Sequence, residues 1–413
     1  MLTTKDKKYL ENLIIKHNKN KDINLSYPLL DNAFSKEDIL EGIKVLLSQQ
    51  LTMSEITYNF EKAFAKHLGS KYAVMVNSGS SANLLASFAL INTMKKNRVK
   101  QGDHFLIPAL CWSTSLWPLI QCGLKPIFMD VDINNFCLDE TKITKTILSK
   151  ISVILTIHIL GNSSNIQKIS SLAKKNDIYL IEDTCEALGS KYNSKFLGTF
   201  GDFGTYSFYY SHQITAGEGG MVVTDSREDY DLLCSLRSHG WDRRIGKKIK
   251  KHKSYFNFIN SGFNVRPTDI TAAIGYCQFK RLDQLIKVRT ENRLKIIDKL
   301  KSSNNWNNQF DFFYSNKKVS QSFFGFPILI NKKYINKKKI FFNYLKNKKI
   351  ETRPILSGNF LNQPSAKLYN LNQGGKNFPN SQEIEDRGFF IGIPSKPLND
   401  KTLNYLVENL LKI

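Results

Sequence analysis

The chain has 413 residues, 41% of them hydrophobic, enough to bury the cores of two domains. No run of 18 or more apolar residues occurs and the first residues after Met1 are polar and basic, so neither a membrane span nor a secretory signal is expected. The net charge of +23, from 59 Lys+Arg against 36 Asp+Glu, raises the question of a nucleic-acid partner. The basic residues are spread along helices beside asparagines, as in 331–339, and no DNA or RNA motif accompanies them. They read as solvated faces, with no nucleic-acid partner expected, and the positive potential suits a phosphorylated substrate. Cys111, Cys122, Cys137, Cys185, Cys234 and Cys277 form no Cys-x-x-Cys pair. Reduced thiols in a cytoplasmic protein are the expectation, with no metal site.

In chain order, residues 1–25 read as a polar, basic helix and 27–30 as a short extended entry. Ser35 and Asp38 have the spacing of a capping box, and Ile39, Ile43, Leu46 and Leu47 recur at helical spacing behind them. The next helix carries Phe60, Phe64 and Leu68 on one face and stops at Gly69. Residues 71–76 form a buried strand that runs into Ser78, Gly79 and Ser80 and then a helix. A strand, small hydroxyl and glycine residues, then a helix N-terminus makes an anion cradle, because first-turn N–H groups are free and the helix dipole favours negative charge. Strands follow at 103–108 and 126–131, with Cys111 and Trp112 between them. A long buried strand at 152–160, a helix at 164–176 and a strand at 178–183 come next. Asp183 stands at the carboxyl end of that last strand, where ligands of open α/β sheets gather, and Glu186 lies three residues on. After 201–224 come a helix at 227–237, a basic loop at 246–253 and a helix running from Thr268 towards Leu300. A strand at 323–330, a basic helix at 332–348, the stretch 350–360 and an amphipathic helix at 398–413 complete the chain.

The stretch 201–220 is the most informative. Ser207 and Phe208 close one apolar run, Gly217, Glu218, Gly219 and Gly220 precede the strand 221–224, and His212 stands at the tip between them. This segment resembles the cofactor-lysine loop of the sugar aminotransferases that use pyridoxal 5'-phosphate (PLP). In that family the tip residue is a lysine that holds PLP as a Schiff base. An imidazole has no primary amine and cannot form an imine with an aldehyde. A histidine at this position resembles the sugar 3-dehydratase branch of the family, which holds pyridoxamine 5'-phosphate (PMP) non-covalently. The resemblance extends from about residue 30 to the C-terminus and is densest in 71–85, 178–220, 236–244, 261–275 and 349–360.

The resemblance implies an α/β architecture, the PLP-dependent transferase fold type I of aspartate aminotransferase. An N-terminal helical arm would span 1–29, a large domain with a mostly parallel central sheet 30–285, and a smaller C-terminal α/β domain 286–413. It further implies that Ser78, Gly79 and Ser80 hold the cofactor phosphate, that Trp112 stacks on the pyridine ring, and that Asp183 pairs with the ring nitrogen. Glu186 and Ser207 would also face the cofactor, and Asn264 would reach the phosphate of the neighbouring subunit of a homodimer. His239, Arg243, Glu351 and Arg353 would contact substrate, arginine suiting a carboxylate or phosphate through its planar fork. His212 would be the catalytic base and acid, with a pKa near neutrality serving both steps. The implied reaction removes the C3 hydroxyl of a GDP-linked 4-keto-6-deoxymannose, with L-glutamate restoring PMP, in deoxysugar synthesis for lipopolysaccharide O-antigen.

Other readings are open at this point. A CDP-sugar dehydratase with a [2Fe–2S] cluster and a partner reductase is disfavoured, because 238–261 contains no cysteine and Cys185 alone cannot supply four ligands. An ordinary aminotransferase would need Lys191 or Lys195 to replace the missing lysine. A non-catalytic sugar-binding protein on the same scaffold is a further alternative; the presence of Asp183, Ser207, Trp112 and the phosphate turn argues against it.

Overall fold

The polar N-terminus folds as helix α1, Thr4–Lys19, in a computed structural model that describes residues 3–19, 26–30, 33–242, 256–313, 317–372, 375 and 377–413. Helix α2, Lys36–Ser48, opens with the expected capping box: Ser35 Oγ accepts from the Asp38 N–H, and the Asp38 carboxylate accepts from the Ser35 N–H. Its buried face is not the apolar row read from spacing. Leu40, Gly42 and Val45 are buried, whereas Leu46 and Leu47 are 52% and 62% exposed. Gly42 lies on the packed face, where a Cβ would stand 3.3 Å from Ile274 Cδ1 on the neighbouring helix. Helix α3, Glu55–Leu68, buries Phe60, Phe64 and Leu68 as expected and ends at Gly69 in the left-handed region, φ 76°.

Short apolar runs separated by turns become a seven-stranded sheet. Its strands are β1 Tyr72–Val76, β2 His104–Pro108, β3 Lys125–Met129, β4 Ile151–Ile157, β5 Tyr179–Asp183, β6 Phe203–Ser207 and β7 Gly220–Thr224. The order is β1-β7-β6-β5-β4-β2-β3. Neighbours from β6 to β3 pair in parallel, and β7 runs antiparallel to both β6 and β1. Parallel strands need crossover connections, which here include α4, Gly79–Ile91, α5, Ser113–Gln121, and α6, Ile166–Lys175. With helices against it, a strand such as β4 can be apolar almost throughout, and all of it except Ser152 is buried. Helix α7, Arg227–Arg237, follows β7, capped by Ser226.

The helix read as continuous from Thr268 to Leu300 is two: α8, Asp269–Phe279, and α9, Leu282–Lys301. The break presents Arg281, which donates to Ser35 Oγ at 2.9 Å and to Asp38 Oδ1 at 2.7 Å. Beyond it lies a four-stranded antiparallel sheet of β8 Phe310–Phe312, β9 Phe326–Ile330, β10 Thr352–Arg353 and β11 Gly388–Ile391, in the order β8-β9-β11-β10. Residues 332–348 divide into a 3₁₀ turn, Lys332–Lys337, and helix α10, Lys338–Asn347. Helix α11, Pro379–Arg387, and the C-terminal α12, Asp400–Leu410, complete this half. Its core gathers Ile296, Leu300, Phe326, Ile328, Phe389 and Leu406. Tyr27 belongs to that core: its N–H donates to Lys349 O at 2.9 Å and its hydroxyl to Gly392 O at 3.0 Å. Among the described residues, no helix is long and apolar enough to cross a membrane.

Candidate active site

The carboxyl ends of β1, β5 and β6 converge on a cavity of about 700 Å³. Ser78, Gly79, Ser80, Trp112, Asp183, Glu186, Ser207, His212, Glu351 and Arg353 all line it. Five elements far apart in sequence thus bring ten of the expected site residues to one place.

Ser78 caps α4, its Oγ accepting from the Ser81 N–H at 3.1 Å, which leaves other first-turn N–H groups for a ligand. The approach is close. A Cβ on Gly79 would stand 2.5 Å from Ser207 Cβ, and one on Gly220 would stand 2.3 Å from Ser78 O, so only glycine lets β6, β7 and the start of α4 meet. Trp112 is 53% exposed at the N-terminus of α5, so it is a wall of the cavity and not a core residue.

Asp183 is buried and firmly oriented. Its Oδ2 accepts from Asn83 Nδ2 at 2.8 Å and from Ser115 Oγ at 2.7 Å, and its Oδ1 accepts from the Cys185 N–H at 3.1 Å. The Asp183 carboxylate, which can only accept, fixes which way the Asn83 amide points, and Thr205 Oγ1 donates to Asn83 Oδ1 at 2.6 Å. Asn83, Ser115 and Thr205 escaped the sequence reading. The available signals were weak: Asn83 is one turn beyond Gly79 on α4, and Thr205 shares a strand face with Ser207.

Glu186 Oε2 accepts from the Leu160 N–H at 2.9 Å. Burial pushes its carboxyl up to about 7, with Asp183 adding to the rise and the Leu160 N–H opposing it. Its folded pKa thus lies above the ordinary 4.5, so the native protein holds a proton that the unfolded chain releases, and stability falls as pH rises from about 4.5 to 7. Glu186→Gln keeps an acceptor for Leu160 and cannot ionise. Calorimetry is expected to show wild-type melting at about pH 4 and a Tm raised by about 2–4 °C at about pH 8. The same Tm difference at both pH values would show that the carboxyl is not strained.

His212 is half-buried between two aromatic rings. Tyr209 meets it edge-on at 5.9 Å and 88°, and Phe324 at 4.8 Å and 77°. Its Nδ1 is buried without a hydrogen-bond partner. Burial, and then the Arg289 guanidinium, push its pKa down to about 3. The near-neutral value expected from sequence is therefore corrected. The ring is neutral near pH 7 and able to accept a proton, and once charged it is a strong acid. Among the described residues, no lysine lines the cavity. Lys191 and Lys195 lie on a short hairpin with their Nζ atoms 4.3 and 4.6 Å from the ring centroids of Phe196 and Phe200.

Glu351 and Arg353 pair with each other at the edge of the smaller sheet, and Glu351 Oε2 also accepts from the Leu29 N–H at 2.8 Å. Asn264 and His239 do not line the cavity of their own chain. Both are exposed: Asn264 Oδ1 accepts from Arg266 Nε at 3.0 Å, and the His239 N–H donates to Phe263 O at 2.7 Å. Arg243 and the basic loop 246–253 lie outside the described residues.

The model of the DegT/DnrJ/EryC1/StrS aminotransferase family matches residues 32–411. Over 394 residues the chain is 38% identical to the GDP-4-keto-6-deoxy-D-mannose 3-dehydratase of Escherichia coli O55:H7, covering 94% of this chain and 100% of that one. A crystal structure of GDP-4-keto-6-deoxymannose-3-dehydratase with a trapped PLP-glutamate geminal diamine matches with a TM-score of 0.84 at 38% identity, over 93% of this chain and 100% of the other. A mutant of the enzyme of that name with bound GDP-perosamine matches with a TM-score of 0.86, also at 38% identity, over 93% and 100%. The parallel-dominated sheet and the smaller second sheet are the aminotransferase-like fold expected from sequence. From strand order to loop 201–220, this chain belongs to the DegT/DnrJ/EryC1/StrS aminotransferase family.

Proposed function

We propose that the protein is a PLP- and PMP-dependent 3-dehydratase that removes the C3 hydroxyl of GDP-4-keto-6-deoxy-D-mannose, giving a 3,6-dideoxy-4-keto sugar for O-antigen synthesis. The observation that carries this reading is the cavity itself, which His212 lines and, among the described residues, no lysine does. The E. coli relative bears that activity in its name, and the related crystal structures hold a glutamate adduct and a GDP-sugar.

The residues present fit the cofactor. Ser78, Gly79 and Ser80 at the start of α4 would take its phosphate, Trp112 its ring face, and Asp183 its ring nitrogen, with Ser207 and Glu186 alongside. When bound, the cofactor supplies an amine for the sugar ketone and a ring that accepts electrons. Asp183, held by three donors, keeps the ring nitrogen protonated. His212 accepts a proton on an imidazole nitrogen and returns it to the departing C3 hydroxyl, which leaves as water. The depressed pKa makes the second transfer the easier one. Glu351 and Arg353 orient the sugar or the glutamate carboxylate. Exchanging C3–OH for C3–H is a two-electron reduction. Glutamate provides the electron pair, ending as the 2-oxo acid with its nitrogen released as ammonia.

A homodimer completes the site in this reading. Asn264 would reach the cofactor phosphate in the partner's cavity, in keeping with its exposure outside its own, and His239 and Arg243 would contact substrate. The division at 285/286 falls within α9, which leads from the large sheet to the small one. The six free thiols fit a reducing cytoplasm. The test is incubation of the purified dimer with PLP, L-glutamate and GDP- or CDP-linked 4-keto-6-deoxy sugars, followed by mass spectrometry. Loss of one oxygen from the GDP sugar with matching 2-oxo acid is expected. An aminated sugar, or no reaction with any donor, would overturn the assignment.

A further inference from the structure

We infer that Arg289 is the positioning residue for His212: its guanidinium ties the backbone of the His212 loop to the backbone beside Phe324, the ring that walls the imidazole. The inference rests on the reading of His212 as the catalytic base.

Arg289 stands on α9 and is only 2% exposed. Its Nη2 donates to His212 O at 3.3 Å and its Nη1 to Phe323 O at 3.2 Å. Nε is buried with no hydrogen-bond partner, and among the described residues no carboxylate forms an ion pair with this guanidinium. Burying a cation against neutral carbonyls alone is costly, and the burial pulls its pKa down to about 10. An apolar side chain of similar size would fill the place at less cost. What it could not do is hold two carbonyls from separate segments at once, which the planar fork of arginine does.

Those two segments decide where the imidazole points. The ring's Nδ1 has no tether, so its direction follows from the backbone at 212 and from the flanking Tyr209 and Phe324 rings. The His212 N–H donates to Tyr209 O at 3.0 Å, and Gln213 Nε2 donates to Glu186 O at 2.6 Å and to Ser322 O at 3.3 Å, so residue 213 is already tied to the segment before Phe323. Arg289 adds a link from His212 itself, through its own carbonyl, to Phe323 O. Packing on that side is incomplete, because a second cavity of about 520 Å³, lined by Gln213, Gln278, Val288 and Arg289, also reaches His212. Without the clamp the loop has room to sink away from the catalytic cavity.

The test compares wild type with Arg289→Lys, Arg289→Met and Arg289→Ala as full-length protein loaded with PLP. The misplaced base is expected to lower kcat about 100-fold in Arg289→Met, with KM for the GDP sugar and the Kd for PLP within about twofold of wild type. Lysine, a point charge without a fork, is expected to restore little. Guanidinium ion, which the second cavity can admit, is expected to restore part of the turnover of Arg289→Ala and none of that of Arg289→Met. Hydrogen exchange of the 209–213 backbone, measured without substrate, is expected to quicken about tenfold in all three variants. Unchanged exchange in 209–213, or a raised KM with kcat intact, would overturn the inference. If Arg289→Met fails to fold, the lysine variant and guanidinium rescue decide it. A wild type inactive on every sugar would overturn the proposed function instead, leaving the exchange measurement to judge the clamp alone.

Discussion

His212→Lys is expected to bind PLP covalently and to lose dehydratase turnover by a factor of about 100 to 10,000, the usual worth of a positioned acid–base group. Ser78, Gly79, Ser80, Trp112 and Asp183 line the same cavity as residue 212, and the rings of Tyr209 and Phe324 make the wall beside it apolar. Desolvation there disfavours the ammonium form, so a lysine would present a free amine to the PLP aldehyde. Borohydride reduction and peptide mapping should recover a pyridoxyl group on residue 212. The same protein should remove oxygen slowly, because the imine at residue 212 competes with the reaction of PLP with glutamate, and a long flexible amine does not stand where the imidazole nitrogen did. Wild-type rates of oxygen loss in this variant would remove His212 from the mechanism, and labelling elsewhere in the chain would show that the loop does not reach the cofactor.

The second large effect is expected at Asp183. Asp183→Asn should lower turnover by about 100- to 1,000-fold, as loss of a charge aimed at the reacting system does. The surroundings make the change chemical and not structural. Asn83 and Ser115 both donate to Oδ2. An asparagine that keeps its oxygen on those donors turns its NH₂ towards the Cys185 N–H and the cavity. It would offer the pyridine nitrogen a donor where an acceptor is needed, so the ring would not stay protonated. Steady-state turnover, together with the absorbance of bound PLP, measures this. Turnover equal to wild type with normal PLP binding would mean that Asp183 serves only to anchor β5.

Much of this protein was already written in its local order of residues. The strand-to-helix turn at 78–80, the acid at the end of β5, the histidine of loop 201–220 and the apolar strands each belong to short local patterns, and the three polar groups line one cavity in the fold. Capping at Ser35 and the stop at Gly69 are local in the same sense. Whatever depends on a distant partner was decided only on folding. Spacing alone put Leu46 and Leu47 with the apolar row of α2, yet the face packed in the fold is that of Leu40, Gly42 and Val45, and the two leucines are exposed. Asp183 is held by Asn83, 100 residues before it, and Ser115, 68 before it, and neither is distinguishable from any other small polar residue in the sequence. The acidity of His212 is the clearest case. An imidazole by itself titrates near 6.5, and only burial beside Arg289, 77 residues away, drives it to about 3, because desolvation and charge act through space and not along the chain.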